Sequence, residues 1–303
     1  MTASFKKYNN AASFRRALED RLKNITRKQS IPLDRLRRRV TFDRFLARLF
    51  KSNSREQKWL LKGGYALELR FHGLARTTKD IDFSIPHMKN PNENTIRGLL
   101  QEEAKKDMSD WFQFYIGLPM REFDQAVYSG WRYPVEARVA NRVFTKFHID
   151  IAIGDAVISE AERKKGDNIL GFAGIDPICV AMLPVEQHFA EKIHAYSYPC
   201  EKRHFSRIRD LVDLVLIIEQ GLPDKKLVIS TIKATFKLRN THDMPKLLEI
   251  PPDILEDSYA KMAQDCGITK KEMAEAFSLL QEYWAGLRKL KLLNIEKINY
   301  RNL

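Results

Sequence analysis

Two aspartates one residue apart, Asp80 and Asp82 in the segment TKDIDFSI, have the types and spacing to do chemistry. In an extended strand, residues two apart point to the same side. Asp80, Asp82 and Ser84 therefore share one face, and Ile81, Phe83 and Ile85 anchor the other. Two like charges this close cost free energy unless a cation lies between them, and hard oxygen ligands suit Mg²⁺ or Mn²⁺. A second segment, KFHIDIAIGD, sets Phe147, Ile149, Ile151 and Ile153 on one stripe and leaves His148, Asp150 and Ala152 opposite. If the two strands are neighbours, Asp150 becomes a third carboxylate, and three carboxylates can hold two metals. The other reading of Asp150 is an ion pair with an arginine.

The residues leading into this pair read KGGYALELRFHGLARTTKDID from Lys62 to Asp82. Gly63 and Gly64 carry no side chains, so their N–H groups can approach a phosphate, and a helix starting at Tyr65 adds its positive end. A tight turn is their other use. Arg76, Thr77, Thr78 and Lys79 then form a basic, hydroxyl-bearing loop. A nucleoside triphosphate would meet donors on one side and metals on the other, the outline of a phosphoryl or nucleotidyl transfer site.

The elements that must position these groups follow from periodicity. Residues 11–50 carry Phe14, Leu18 and Leu22, then Leu36, Val40, Phe45 and Leu46, at helical spacing. They predict two amphipathic helices broken near Ile31-Pro32. The segments TKDIDFSI, WFQFYIGL and TKFHIDIAI read as strands, and NTIRGLLQEEAKK between them as a helix. From Val185 onward the pattern is helical over about 185–197, 205–220, 225–238, 253–264 and 268–290, with turn signals at Gly221-Leu-Pro and Ile250-Pro-Pro. The fold class expected is α+β, with an α/β core and a mixed sheet. Residues 1–57 form a basic helical arm, 58–180 the core, and 181–303 a helical C-terminal domain.

Composition bounds the rest. The chain has 303 residues, 44% hydrophobic and 30% charged, a balance that suits a folded protein rather than a disordered one. Cys179, Cys200 and Cys266 are far apart and form no CxxC pair, which argues against a disulfide framework or a zinc site and for a reducing, cytoplasmic compartment. The longest apolar run, LVDLVLII at 211–218, is too short to span a bilayer and is broken by Asp213. No apolar signal-peptide segment opens the chain. The net charge is +13, and residues 1–50 hold 14 Lys or Arg against four Asp or Glu. A block this basic attracts polyanions by counterion release; a solvated helical face is the other reading.

The glycine pair, the DxD strand and the later acidic strand together resemble the polymerase-beta type of nucleotidyltransferase. More narrowly, KGGYALELR, RTTKDIDF, FHIDIAI, AEKIHAYSY and RIRDLVDL are similar to the AbiEii/AbiGii toxin family, including the MenT-like toxins of type IV toxin–antitoxin systems. A fainter match is TFKLRNTHDMP followed by Pro251-Pro252. The resemblance implies Mg²⁺ and a nucleoside triphosphate, with transfer of nucleotides to the 3′ end of tRNA as the toxic act. It implies metal binding by Asp80 and Asp82, phosphate contacts from Gly63 and Gly64, a triphosphate grip by Lys192, and a distal pocket completed by Asp213. Thr78 would match a hydroxyl that becomes phosphorylated in some relatives. A cognate antitoxin, acting by direct binding or by modifying the Thr77/Thr78 loop, is implied by the resemblance alone.

The residues themselves leave other readings open. Phe189, Ile193 and Tyr196 form a buried helical stripe that Lys192 borders; such a lysine also snorkels to solvent or pairs with an acid. Asp210 and Asp213 lie one turn apart in SRIRDLVDLVLII, and Asp213 could pair with Arg209. Arg239 is either a helix C-terminal charge or the cation that meets phosphate or acceptor RNA. His148 and His194 read as structural histidines.

The function expected is metal-dependent nucleotidyl transfer from a triphosphate to RNA, the tRNA acceptor end above all, blocking translation. Asp150 would assist as third ligand or as base, Lys79 would help position the triphosphate, and the basic arm would grip the RNA backbone. The rivals are the same fold acting on a protein or small molecule, and a noncatalytic RNA-binding regulator.

Overall fold

The structure, a computed structural model, describes residues 8–51, 58–86, 88, 92–120, 130–153, 159–199, 204–221 and 224–299, the stretches 204–206 and 291–299 as backbone only. Cys200, Gly154-Asp155 and Leu222-Pro223 of the sequence reading lie outside the described residues. The chain forms two compact units. One comprises Met1–Tyr65, Thr77–Gly154 and Glu162–Met182, the other Ala66–Arg76, Asp155–Ala161 and Leu183–Leu303.

In the first unit, helix α1 (Ala11–Gln29) starts where the Asn10 side chain accepts from the Ser13 N–H and stops at Ser30 in the left-handed region. Pro32 precedes α2 (Leu33–Leu49), and its fixed φ and missing N–H break the helical run at the expected place. Phe14, Leu18 and Leu22 are fully buried, each contributing about 2 kcal/mol of apolar burial. Helix α4 (Glu93–Ala104) is capped in the same way by Asn92.

The strands of this unit are β1 (Leu60–Lys62), β2 (Asp80–Ile85), β3 (Phe112–Ile116), β4 (Gly130–Val139), β5 (Arg142–Ile153), β6 (Glu162–Lys165) and β7 (Cys179–Met182). They form one mixed sheet in the order β3-β4-β5-β2-β1-β7-β6. β5 runs parallel to β2, and β1 parallel to β7; the other neighbours are antiparallel. Rings from the helices pack on one face of the sheet: Phe14 lies 6.3 Å from Phe112, Phe45 5.2 Å from Phe114, and Phe42 5.1 Å from Phe147. Strand alternation then turns Arg132, His148 and Asp150 to the other face.

This packing uses up part of the basic arm. Arg15 donates to the carbonyls of Val139, Arg142 and Val143, which closes the β4–β5 hairpin. Arg48 is buried with both oxygens of Asp110 at 2.9 and 2.8 Å, Arg37 pairs with Glu19, and Arg39 with Asp167. These arginines are therefore engaged within the fold. The arginines that face the sheet hold the unit together, and the exposed cations of α1 are Arg16, Arg21, Lys23, Arg27 and Lys28.

Helix α3 (Gly63–Arg70) begins in the first unit and ends in the second. The second unit is otherwise helical: α5 (Val185–Tyr196), α6 (His204–Gln220), α7 (Lys225–Arg239), α8 (Glu256–Asp265) and α9 (Met273–Asn299). Its core joins Phe189 and Ile193 of α5, Leu211 and Val215 of α6, Ile232 of α7, Tyr259 of α8 and Trp284 of α9.

Candidate active site

β2 and β5 are neighbours, with Asp80 opposite His148 and Asp82 opposite Asp150. The adjacency that the sequence left conditional is thus present, and the three carboxylates lie on one face. Ile81 and Phe83 are fully buried beneath them. Across the β4–β5 pairing, Arg132 stands opposite Asp150. Its Nε donates to Asp150 Oδ1 at 2.7 Å and its Nη2 to Asp150 Oδ2 at 2.6 Å, and Nη2 also lies 3.7 Å from Asp80 Oδ2. His148 Nδ1 lies 3.2 Å from Asp80 Oδ1. The hydrogen bond to Asp150, working against burial, and then the charges of Asp150, Asp80 and Asp82 raise the Arg132 pKa. Of the two readings of Asp150, the pair with an arginine is the arrangement present.

Gly63 sits at φ +68°, and a Cβ there would lie 1.9 Å from Asp82 Oδ2. Only glycine meets both demands, the left-handed backbone and the approach of the carboxylate. Gly64 is buried in the first turn of α3. Thr78 Oγ1 donates to the Asp80 carbonyl at 3.1 Å, while Thr77 and Lys79 are exposed. Asp80 and Asp82 form an oxygen-only donor pair suited to a hard divalent cation. Among the described residues no group of three His, Cys, Asp or Glu side chains is arranged to hold a metal ion. Arg132 takes both oxygens of Asp150.

The second unit contains its own charge cluster. Asp213 accepts from Arg76 Nε at 3.0 Å and Nη2 at 2.9 Å, and Lys192 Nζ lies 2.8 Å from both Asp213 Oδ2 and Asp210 Oδ1. Asp213 is fully buried. Burial opposes its charge, but Arg76 and Lys192 outweigh that and lower its pKa to about 2. Lys192 is likewise held charged, its pKa raised by Asp210 and Asp213 against the cost of burial. Asp210, hydrogen-bonded to Lys192, is pushed upward by burial. Two readings are corrected here. The partner of Asp213 is Arg76 rather than Arg209, because Arg209 lies on the exposed side of α6. Arg76, placed in the phosphate loop by sequence, is committed to Asp213.

Arg239 is buried rather than an exposed helix-end charge, and burial lowers its pKa to about 9. Its Nη1 lies 3.2 Å from His194 Nδ1, and its Nη2 3.6 Å from Glu191. A guanidinium can only donate, so Nδ1 of His194 must accept and Nε2–H donate to Thr241 Oγ1 at 3.0 Å. The relay continues from the Thr241 hydroxyl to His242 Nδ1 at 3.1 Å, and from His242 Nε2 to Ser197 Oγ at 2.9 Å. His194 is thereby a satisfied structural histidine, and burial, with His242 nearby, lowers its pKa to about 4.

With this geometry in hand, the chain can be set beside known proteins. The family described as the AbiEii nucleotidyl transferase toxin of type IV toxin–antitoxin systems matches residues 44–285. The chain belongs to that family. Its fold is similar to that of MenT4, a nucleotidyltransferase toxin from Mycobacterium tuberculosis H37Rv, with a TM-score of 0.58, 17% identity and 89% of each chain covered. No curated protein matches the chain. AbiEii membership makes the chain a nucleotidyltransferase toxin and removes the noncatalytic reading. Among the described residues no helix is long and apolar enough to cross a membrane.

The residue that the sequence reading passed over is Arg132. Its signal was present: Trp131, Tyr133, Val135, Ala137 and Val139 alternate with Arg132, Pro134, Glu136 and Arg138. Pro134 obscured the strand, since proline cannot donate to a ladder.

Proposed function

We propose that this AbiEii-family chain transfers a nucleotide from a nucleoside triphosphate to RNA, the 3′ acceptor end of tRNA above all, and so stops translation. One observation carries the reading: the β2–β5 register sets Asp82 opposite Asp150, with Asp80 on the same face, above a fully buried Ile81 and Phe83. In the reaction the acceptor 3′ hydroxyl attacks the α-phosphorus, the bond to the β-phosphate oxygen breaks, pyrophosphate leaves and the hydroxyl proton passes to a base. Asp80 and Asp82 would hold Mg²⁺ or Mn²⁺, which supplies charge neutralisation for the triphosphate. Asp150 stands beside them as the base for the acceptor hydroxyl, oriented by its exchangeable pair with Arg132. Gly63 and Gly64 at the end of β1, with Thr77, Thr78 and Lys79, serve the phosphates. The roles that the family resemblance gives to Lys192, Asp213 and Arg239 belong to the same proposal, as does an antitoxin partner.

The test is purified full-length protein with labelled nucleoside triphosphates, Mg²⁺ and total RNA. RNA is labelled by wild type and not by Asp80→Ala. Label on polypeptide alone, or equal RNA label with Asp80→Ala, overturns the reading.

A further inference from the structure

The strand order gives the carboxylates two different flanks. β2 lies between β1, which ends at Lys62 just before Gly63, and β5, beyond which come β4 and β3. On that second flank, successive outward positions line up across the sheet. Lys146 faces Glu136, which faces Tyr115; two residues further along β5, His148 faces both Asp80 and Pro134. A cavity of about 840 Å³ opens there, lined among others by Lys79, Asp80, Tyr115, Arg132, Arg138 and Lys146.

This face combines two kinds of side chain. Tyr115 is 52% exposed, and the Arg138 guanidinium lies 5.2 Å from its ring centroid. Glu136 holds Arg138 beside the ring at 2.6 Å and pairs with Lys146 of the neighbouring strand at 3.1 Å. Past β3 the backbone stays alongside β4, with Gly117 N–H donating to the Pro134 carbonyl and Met120 N–H to the Arg132 carbonyl, each at 2.8 Å. This segment presents Leu118 at 68% and Met120 at 52% exposure. Exposed ring and apolar side chains interleaved with cations match unpaired bases on a phosphate backbone: base faces stack on the former, and phosphates meet the latter.

We infer that the β3–β4–β5 face, centred on the Tyr115–Arg138 pair, is the track that receives the single-stranded 3′ end of the acceptor RNA. The placement rests on the nucleotidyl-transfer reading: RNA lying along this face delivers its terminal hydroxyl to Asp150 and Asp80 from the flank opposite Gly63. Lys146 and Asp150 are four residues apart on β5, about 13 Å at strand rise. The base stacked on Tyr115 is therefore upstream of the terminal nucleotide, and the site takes an unpaired overhang rather than a blunt duplex end.

The experiment measures binding of a fluorescent single-stranded oligoribonucleotide to the full chain by anisotropy without nucleotide, and KM for RNA and for nucleoside triphosphate in the labelling assay. Tyr115→Ala weakens oligonucleotide binding about tenfold. Tyr115→Phe keeps binding near wild type, because the ring face remains. Lys146→Gln reduces the salt dependence of binding by roughly one unit of slope. In the assay, Tyr115→Ala raises KM for RNA and leaves KM for the triphosphate unchanged. Wild-type-like binding by Tyr115→Ala, equal binding of a blunt duplex, or no oligonucleotide binding by wild type each overturns the inference. A wild-type protein that labels RNA while Tyr115→Ala keeps the same KM for RNA sinks the inference alone. A wild type that binds the oligonucleotide through Tyr115 yet labels no RNA sinks the proposed reaction instead.

Discussion

Asp150 on the sheet and Asp213 in the helical unit each accept two hydrogen bonds from one guanidinium, yet the two pairs stand in different surroundings. The Asp213 side chain is 0% exposed and has a second cation, Lys192, 2.8 Å away. In the sheet pair Arg132 is 36% exposed and Asp150 15% exposed. A buried pair is bought with desolvation, so removing one partner strands a charge where water cannot reach it. A pair open to solvent is screened and contributes little to stability. The same motif is thus a fixed structural joint in one unit and an exchangeable contact in the other. The proposed transfer needs the exchangeable kind, since carboxylates that would meet a cation or an acceptor hydroxyl cannot be locked to a guanidinium by burial.

The comparison breaks most readily at Asp213. Asp213→Ala leaves Arg76 and Lys192 facing each other in the core and destabilises by about 3–5 kcal/mol; urea unfolding of the variant reads this directly, and a loss under 1 kcal/mol would erase the contrast. Acid probes the same helical unit through His194. Its ordinary pKa of 6.5 is lowered to about 4 in the folded chain, so the folded state binds fewer protons than the unfolded one between those values. Stability present above pH 6.5 is lost as pH falls toward 4, by about 3 kcal/mol at roughly 1.36 kcal/mol per unit. Unfolding midpoints measured from pH 7 to pH 4 should fall, and a flat profile contradicts the burial of His194 beside His242.

On the sheet, Gly63→Ala meets a left-handed backbone worth about 1–3 kcal/mol of strain, and it displaces Asp82 as well. Transfer activity falls more than stability does, and equal losses in both would mean that Asp82 has no role beyond packing. The smallest effect belongs to Arg132→Ala, about 1 kcal/mol or less on unfolding in the absence of divalent cations. Mg²⁺ stabilises this variant more than wild type, because the carboxylates have lost their guanidinium; thermal scans with and without Mg²⁺ make the comparison.

Much of this was legible in order along the chain. Helices α1, α2, α5, α6 and α7 fall within a residue or two of their apolar periodicity, because each carries its own stripe, cap or proline break. The DxD strand and the β5 stripe were equally plain. β1 has three residues, and β6 reads ERKK, so neither carries a pattern long enough to detect. The β4–β5 hairpin turns through Ala140 and Asn141, both at positive φ, without the glycine that usually signals such a turn. Arg15, far away in sequence, donates to the carbonyls around that turn and holds its ends.

By itself, the sequence determined which residues could carry charge to a phosphate and which faces had to be buried. Those are properties of side chains and of helical or strand period, and they travel with the chain. Only the tertiary structure decided the partners. Arg76 meets Asp213 across 137 positions, and Arg132 reaches Asp150 through a hairpin that no spacing rule announced. An ion pair depends on distance and on the water around it, and both are set by how strands and helices pack rather than by their order.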